Sequence, residues 1–495
     1  MNESVPETRE RTLDVAPSLG ASFRDPAGSL FPLEGRIFRV VNDRGVTDID
    51  ALLGSAAARK LVESRRMVGT RRLTAEESRA LLTHPDVCRL YEAVSGQMLV
   101  EHERIDFPSF PYEWPPEMLH AAGVLTLEVA QSLLHDGLGL KDGTPYNVLF
   151  RGPEPVFIDV LSCERRDPAE PTWLAYAQFV RTFLLPLLAN QRFGIGLDQI
   201  LTTRRDGLEP EEVYRWSGPL DRLRPAFLSM VTMPTWLGSR QSPDDQAIYR
   251  KKRLGNPEKA RFILDSLLDG LRRKLNRLEP PAGKSSTWTG YMDANHNYSA
   301  AHFAAKQKFV SEALAEFSPR RLLDVGCNTG HFSAMAAKAG ASVVALDSDP
   351  VVLGQVWRQA RAEKWNVLPL AVNLTRPTPG TGWRNRECSS FLDRARGHFD
   401  AVLMLAVVHH MLVTERVPLV DILELGAELT KDLLIVEFIA PEDSMFQRLT
   451  RGREELHRDL SHQLFENLCR EHFDIVRMQH LDSATRWLYL LRKRH

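Results

Sequence analysis

The sequence predicts an α/β chain of two unlike halves: a C-terminal doubly wound parallel sheet and an N-terminal α+β region. Three observations carry this. Beyond residue 320, short apolar runs alternate with helical patterns, as in a parallel sheet covered on both faces. Pro280-Pro281-Ala282-Gly283-Lys284-Ser285-Ser286 mixes three kinds of breaker residue just before that pattern begins. Ahead of it, a hairpin pattern gives way to long helical stretches. A chain of 495 residues, at about 150 per domain, has room for both halves.

Element by element, Met1 to Gly20 is polar and lacks an apolar core, so it reads as a flexible tail and not a signal peptide. Ser29–Phe31 and Arg36–Val41 flank a turn and predict a hairpin. Ile49 to Leu82 reads as helix broken at Gly69. From Glu117 to His135, Leu119, Ala122, Leu125, Val129 and Leu133 recur at helical spacing after a Pro-rich start. Val148–Phe150 and Val156–Ile158 predict a second short hairpin, and residues from Trp173 to Leu278 read as mostly helical. The parallel strands are expected at Arg321–Val325, Ser342–Leu346, Asn366–Leu370, Ala401–Leu405 and Leu433–Phe438, with Trp487–Leu491 as an edge strand.

Hydrophobic residues make up 43% and charged residues 26% of the chain, which excludes global disorder and a multi-span membrane protein. The net charge of −1 supplies no field to gather polyanions, so a nucleic-acid partner is not expected. Cys88, Cys163, Cys327, Cys388 and Cys469 form no paired or zinc-like spacing, which fits a reducing cytoplasm.

The sharpest local feature is Leu323-Asp324-Val325-Gly326-Cys327-Asn328-Thr329-Gly330-His331. It follows a strand and opens a helix, so bare backbone can approach a ligand at the carboxyl edge of the sheet. A dinucleotide fingerprint requires G-x-G-x-x-G, and here Asn328 and His331 occupy two of the three glycine positions. Asp347 ends the next strand, about twenty residues on, where an acid accepts hydrogen bonds from ribose hydroxyls.

This segment resembles the first motif of class I S-adenosylmethionine-dependent methyltransferases. The resemblance implies a Rossmann-like sheet, with Asp324 and Gly326 against the methionine part of the cofactor, Asp347 on its ribose, and Asn328 and Gly330 also cofactor-binding. It extends to Asn373 after the third strand, near the adenine, and to Phe399–His410, the fourth strand and its turn. His409 or His410 is the candidate base, with packing against backbone as the plainer role. Glu437 ends the fifth strand and either binds an acceptor hydroxyl or caps a loop. Tyr291 and Tyr298 precede the motif in an aromatic segment that is either a lid over the cofactor or a domain-docking strip.

In the N-terminal half, Asp142 and Asn147 stand in D-x-x-x-x-N, and Asp159 follows the second strand of the hairpin. Pairing of the strands brings Asn147 and Asp159 to one open end, with Asp142 beside them. This looks like a protein-kinase-like fold, which implies Asp142 as base and Asn147 and Asp159 as magnesium ligands for ATP. The pattern departs from that family: residues 21–80 carry no Gly-rich loop, and Lys60 is the only lysine before Lys141. Arg39 on a predicted strand is the candidate substitute.

Tyr112-Glu113-Trp114-Pro115 together with these motifs resembles a bacterial family that fuses a kinase-like half to a class I methyltransferase, the nodulation-type methyltransferases. The implied organisation is a kinase-like domain over 21–279, a linker at 280–287 and a methyltransferase domain over 288–495. The expected activity is methyl transfer to a saccharide or other small molecule, most simply at oxygen. A bifunctional kinase and methyltransferase, a synthase that uses another part of the cofactor, and a scaffold without chemistry are the alternatives.

Overall fold

The structure, a computed structural model, describes residues 22, 24–238, 253–283, 300–481 and 485–494. The N-terminal half begins with a four-stranded antiparallel sheet in the order β1-β2-β4-β3. Its strands are β1 (Gly28–Leu33), β2 (Arg36–Asn42), β3 (Thr70–Arg72) and β4 (Gly96–His102). The hairpin β1-β2 falls where the sequence predicts it. β4 lies where the sequence predicts no strand, and β3 corrects part of the stretch Ile49 to Leu82, which reads as helix broken at Gly69. β3 is a strand between helices Ala56–Glu63 and Ala75–Leu82, because Thr70 to Arg72 finds the edge of β4. Tertiary pairing overrides local helical preference here.

Two small antiparallel pairs follow. One joins β5 (Leu138–Leu140) to β8 (Cys163–Arg165), and the other is the predicted hairpin of β6 (Val148–Arg151) and β7 (Glu154–Phe157). They pack on the helix Pro116–Leu134, whose Met118, Leu119, Ala122, Leu125 and Val129 are fully buried. Its proline at the first turn supplies the fixed φ that starts a helix. Helices dominate residues 176–238 and 257–276.

The C-terminal half is a seven-stranded sheet in the order β11-β10-β9-β12-β13-β15-β14. Its strands are β9 (Arg321–Val325), β10 (Ser342–Asp347), β11 (Val367–Ala371), β12 (Phe399–Met404), β13 (Thr430–Ile439), β14 (Phe473–His480) and β15 (Arg486–Lys493). β9 to β13 are parallel and read as continuous apolar runs, as strands buried on both faces do. β15 is antiparallel and lies inside the sheet, between β13 and β14. The expected edge strand is therefore interior, and the true edge is β14, whose alternating exposure hides it from an apolar-run reading. The order reverses direction between β9 and β12, so a crevice opens there at the carboxyl edge.

The two halves share one hydrophobic core. Phe107 packs its ring 5.9 Å from Phe391 and 5.6 Å from Phe399. Arg394, against Phe107, Phe110 and Phe391, makes a buried ion pair with Glu113. The helix Pro350–Glu363 grips the other half directly. Trp357 Nε1 donates to the Pro153 carbonyl at 2.9 Å, and Arg358 and Arg361 pair with Glu117 and Glu154. No helix among the described residues is long and apolar enough to cross a membrane.

Candidate active site

The turn after β9 carries three residues with positive φ in five positions: Gly326 at 72°, Asn328 at 49° and Gly330 at 79°. Glycine is needed at the first and last. A Cβ on Gly326 would sit 3.2 Å from Val407, and one on Gly330 would sit 3.0 Å from Val356. Gly326 and Cys327 both donate backbone N–H to the Leu346 carbonyl, at 2.9 and 2.8 Å, which ties the turn to β10.

Asp347, at the end of β10, is the second anchor. Its carboxylate accepts the backbone N–H of Asn328 at 3.0 Å and of Asp349 at 3.0 Å. Burial raises its pKa, and those backbone donors oppose the rise. Asp324 is buried in β9 and accepts the Ser333 hydroxyl at 2.6 Å. Burial pushes its carboxyl up to about 6, against the lowering effect of that hydrogen bond and of the Lys306 charge.

These groups border a cavity of about 310 Å³ at the carboxyl edge of β9, β10 and β12. Asp324, Gly326, Asn328, Asp347 and Asn373 line it. Gly330 does not; it caps the helix His331–Lys338 from behind. The Asn373 side chain accepts both the backbone N–H and the hydroxyl of Thr375, which shapes the loop after β11. Sequence reasoning missed Phe303, Lys306, Thr375 and Glu415 in the same wall. Tyr291 and Tyr298 lie outside the described residues.

The two histidines part company. His410 lines the cavity in the turn after β12, and burial lowers its pKa. His409 is buried beneath it, the rings 4.2 Å apart. Neither ring nitrogen of His409 has a hydrogen-bond partner among the described residues. Burial and then the charges of His410, Arg486 and Lys306 hold its pKa well below the usual value. Glu437 is fully buried and is not part of the cavity wall. It accepts from Lys306 Nζ at 2.6 Å and faces Arg486 Nη1 at 3.7 Å.

In the N-terminal half, Asp142, Asn147 and Asp159 do converge, and Ser162 joins them. Its hydroxyl accepts the Asp142 backbone N–H at 3.2 Å and the Asn147 amide at 3.4 Å, while its N–H donates to the Asp159 carbonyl at 3.2 Å. Arg39, from β2, places its guanidinium 3.3 Å from Asp159 and 3.7 Å from Asp25. Among the described residues no cluster of three His, Cys, Asp or Glu side chains has metal-site geometry.

The C-terminal geometry fits S-adenosylmethionine. A glycine turn leaves backbone exposed, a carboxylate stands at the end of the second strand, and the pocket takes a nucleoside-sized ligand. Residues 296–483 match the family model described as a methyltransferase domain. Fold, site and family model together define an S-adenosylmethionine-dependent methyltransferase. The chain is 29% identical over 475 residues, 95% of each protein, to the nodulation protein NoeA of Rhizobium meliloti (strain 1021).

Two solved structures are also similar. The N-methyltransferase NodS from Bradyrhizobium japonicum WM9, bound to S-adenosylhomocysteine, is 13% identical. That match covers 43% of this chain and 94% of that one, with a TM-score of 0.30. The bifunctional kinase-methyltransferase WbdD is 17% identical, covering 41% of each chain with a TM-score of 0.29. The fold assignment rests on the strand order and not on these scores.

Proposed function

We propose that this enzyme methylates a hydroxyl of a saccharide or similar small molecule, with His410 as general base. The observation behind this is the placement of a half-buried imidazole, its pKa lowered by burial, in the wall of the cofactor cavity, in the turn after β12. In this reading Asp347 holds the ribose, the Gly326 turn and Asp324 flank the methionine part, and Asn373 lies toward the adenine. Bound there, S-adenosylmethionine supplies an electrophilic methyl group that needs no further activation. His410 would take the proton of the acceptor hydroxyl, which leaves its oxygen free to receive that methyl group. NoeA is named as a nodulation protein, and the saccharide class is our extension from the nodulation-type resemblance.

Methyl-labelled cofactor offered with a panel of saccharides and polyols tests this. The expected product is an alkali-stable methyl ether. An alkali-labile ester, or label on nitrogen, would replace the hydroxyl acceptor with another class. The pH profile tests the base. The His410 pKa is lowered, so the neutral form that accepts a proton persists below pH 6.5. The rate with wild type should be flat at neutral pH and fall only on the acid side of that value. His410→Gln should lower kcat about 100-fold or more and remove the acid limb. An unchanged limb in the variant would assign it to another group.

For the N-terminal half we propose a supporting role without phosphoryl transfer. The Arg39 guanidinium stands against both Asp159 and Asp25, where it competes with a metal ion for the Asp159 carboxylate. Titration with ATP and magnesium should give no binding that depends on Asp159. Magnesium-dependent ATP binding that Asp159→Ala abolishes would restore the bifunctional reading.

A further inference from the structure

Large apolar side chains that stay exposed are concentrated between Trp216 and Leu237, in the helical part of the N-terminal half. Leu220 and Leu223 are 81% and 70% exposed, and Trp216, Met233, Trp236 and Leu237 are exposed near them in sequence. The same segment has a buried side: Val213, Phe227, Met230 and Val231 are at most 2% exposed. Tyr214 gathers its helices. The Tyr214 hydroxyl accepts Trp236 Nε1 at 3.3 Å, and the Arg222 guanidinium lies 3.9 Å over the Tyr214 ring. A single exposed leucine needs no explanation, but a concentration of them marks a surface that binds something.

Charge says what kind of partner it fits. The whole chain holds 63 basic and 64 acidic residues, yet Tyr214 to Arg253 holds eight basic and three acidic ones. Among the described residues, Arg215 and Arg224 are exposed and Arg222 is half-buried. Asp221, the acid among them, is buried, and Arg192 and Arg224 reach it at 2.8 and 3.3 Å. An exposed acid, Glu211, stands beside Gly238 at one end. A second copy docked about a two-fold axis would set this arginine-rich face against itself. Side chains as exposed as Leu220 and Leu223 project from the surface, which suits entry into a soft apolar medium. Trp, Leu and Met beside Arg are the residues of surfaces that lie at the headgroup boundary of an anionic bilayer. We propose that this face docks on an anionic lipid surface. Leu220 and Leu223 enter the acyl boundary, and Arg215, Arg222 and Arg224 meet the headgroups. The docking is peripheral.

Co-sedimentation of the full chain with vesicles tests this. The probes are pure phosphatidylcholine and phosphatidylcholine with about a quarter phosphatidylglycerol. The wild type should bind the anionic vesicles at least about tenfold more tightly than the neutral ones, and about 0.5 M salt should remove most of that preference. Leu220→Ser/Leu223→Ser should weaken binding to the anionic vesicles about tenfold or more. Arg215→Gln/Arg224→Gln should shrink the preference for anionic lipid. Leu456→Ser removes a leucine 72% exposed in the other half and should leave binding unmoved. All three variants should keep the wild-type affinity for S-adenosylhomocysteine, since none of these residues lines the cofactor cavity, and this reports that they have folded. Wild-type protein that stays in solution with both vesicles would overturn the proposal. So would wild-type binding by the double leucine variant, or an equal loss in Leu456→Ser. A lipid-free dimer seen by light scattering, and dissociated by the double leucine variant, would give the face to a second copy instead.

Discussion

Asp347→Ala is expected to lower the affinity for S-adenosylmethionine at least about 100-fold, a loss near 3 kcal/mol. Two losses combine. The carboxylate no longer accepts from ribose hydroxyls, and it no longer holds the Asn328 and Asp349 N–H groups at 3.0 Å. The second loss matters because Asn328 sits at a φ of 49°. That backbone conformation persists only while its surroundings impose it. Without the anchor, the turn relaxes away from the shape the cofactor needs. Asp347→Asn keeps one acceptor oxygen and should fall between the two. Calorimetric titration measures both, and an Asp347→Ala affinity within threefold of wild type would sink the assignment.

The largest effect on stability is expected from Arg394→Met. Glu113 is fully buried and the Arg394 side chain is 4% exposed, so the pair is shielded from water on both sides. Removing the cation leaves a carboxylate in an apolar interface between the halves. Breaking a buried pair in this way costs about 3–5 kcal/mol. The Thr378 hydroxyl and the Phe110 N–H also donate to Glu113, and they cannot replace a full charge. The Glu113→Gln/Arg394→Met double variant should recover part of the loss, because no unpaired charge remains. Midpoints of urea and thermal unfolding read this out. A loss below 1 kcal/mol for Arg394→Met would mean that water reaches Glu113.

How much of this was legible in the sequence follows from where each signal lies. The five parallel strands are apolar on both faces, so continuous runs such as Leu322-Leu323 and Val402-Leu403 announce them. β14 alternates, so no apolar run reveals it; its partner β15 is readable at Trp487–Leu491, but its interior place is set by pairing with β13 and β14. Asp324, Gly326, Asn328 and Asp347 were readable because their spacing alone puts them on one edge. Asp142, Asn147 and Asp159 were readable as neighbours for the same reason, yet Ser162, which ties them together, is an ordinary serine in sequence. Lys306 left one trace, a charge interrupting an apolar helical stripe. His409 and His410 are adjacent in sequence, and only the π-type turn that follows puts one in the cavity wall and the other beneath it.

The helix Pro350–Glu363 has two ends with different tasks. Its first turn opens beside Asp347, through Asp349. Its later turns hold Pro153, Glu117 and Glu154 of the other half. Occupation of the pocket would be linked to closure of the seam if the ligand requires that helix to be in place. A ligand that binds only the intact arrangement, present at about a hundredfold over its Kd, adds about 2.7 kcal/mol against opening. The N-terminal half, none of whose described residues lines the pocket, would then share in the protection that cofactor confers: the nucleoside acts as a rivet for a joint at the far end of the helix.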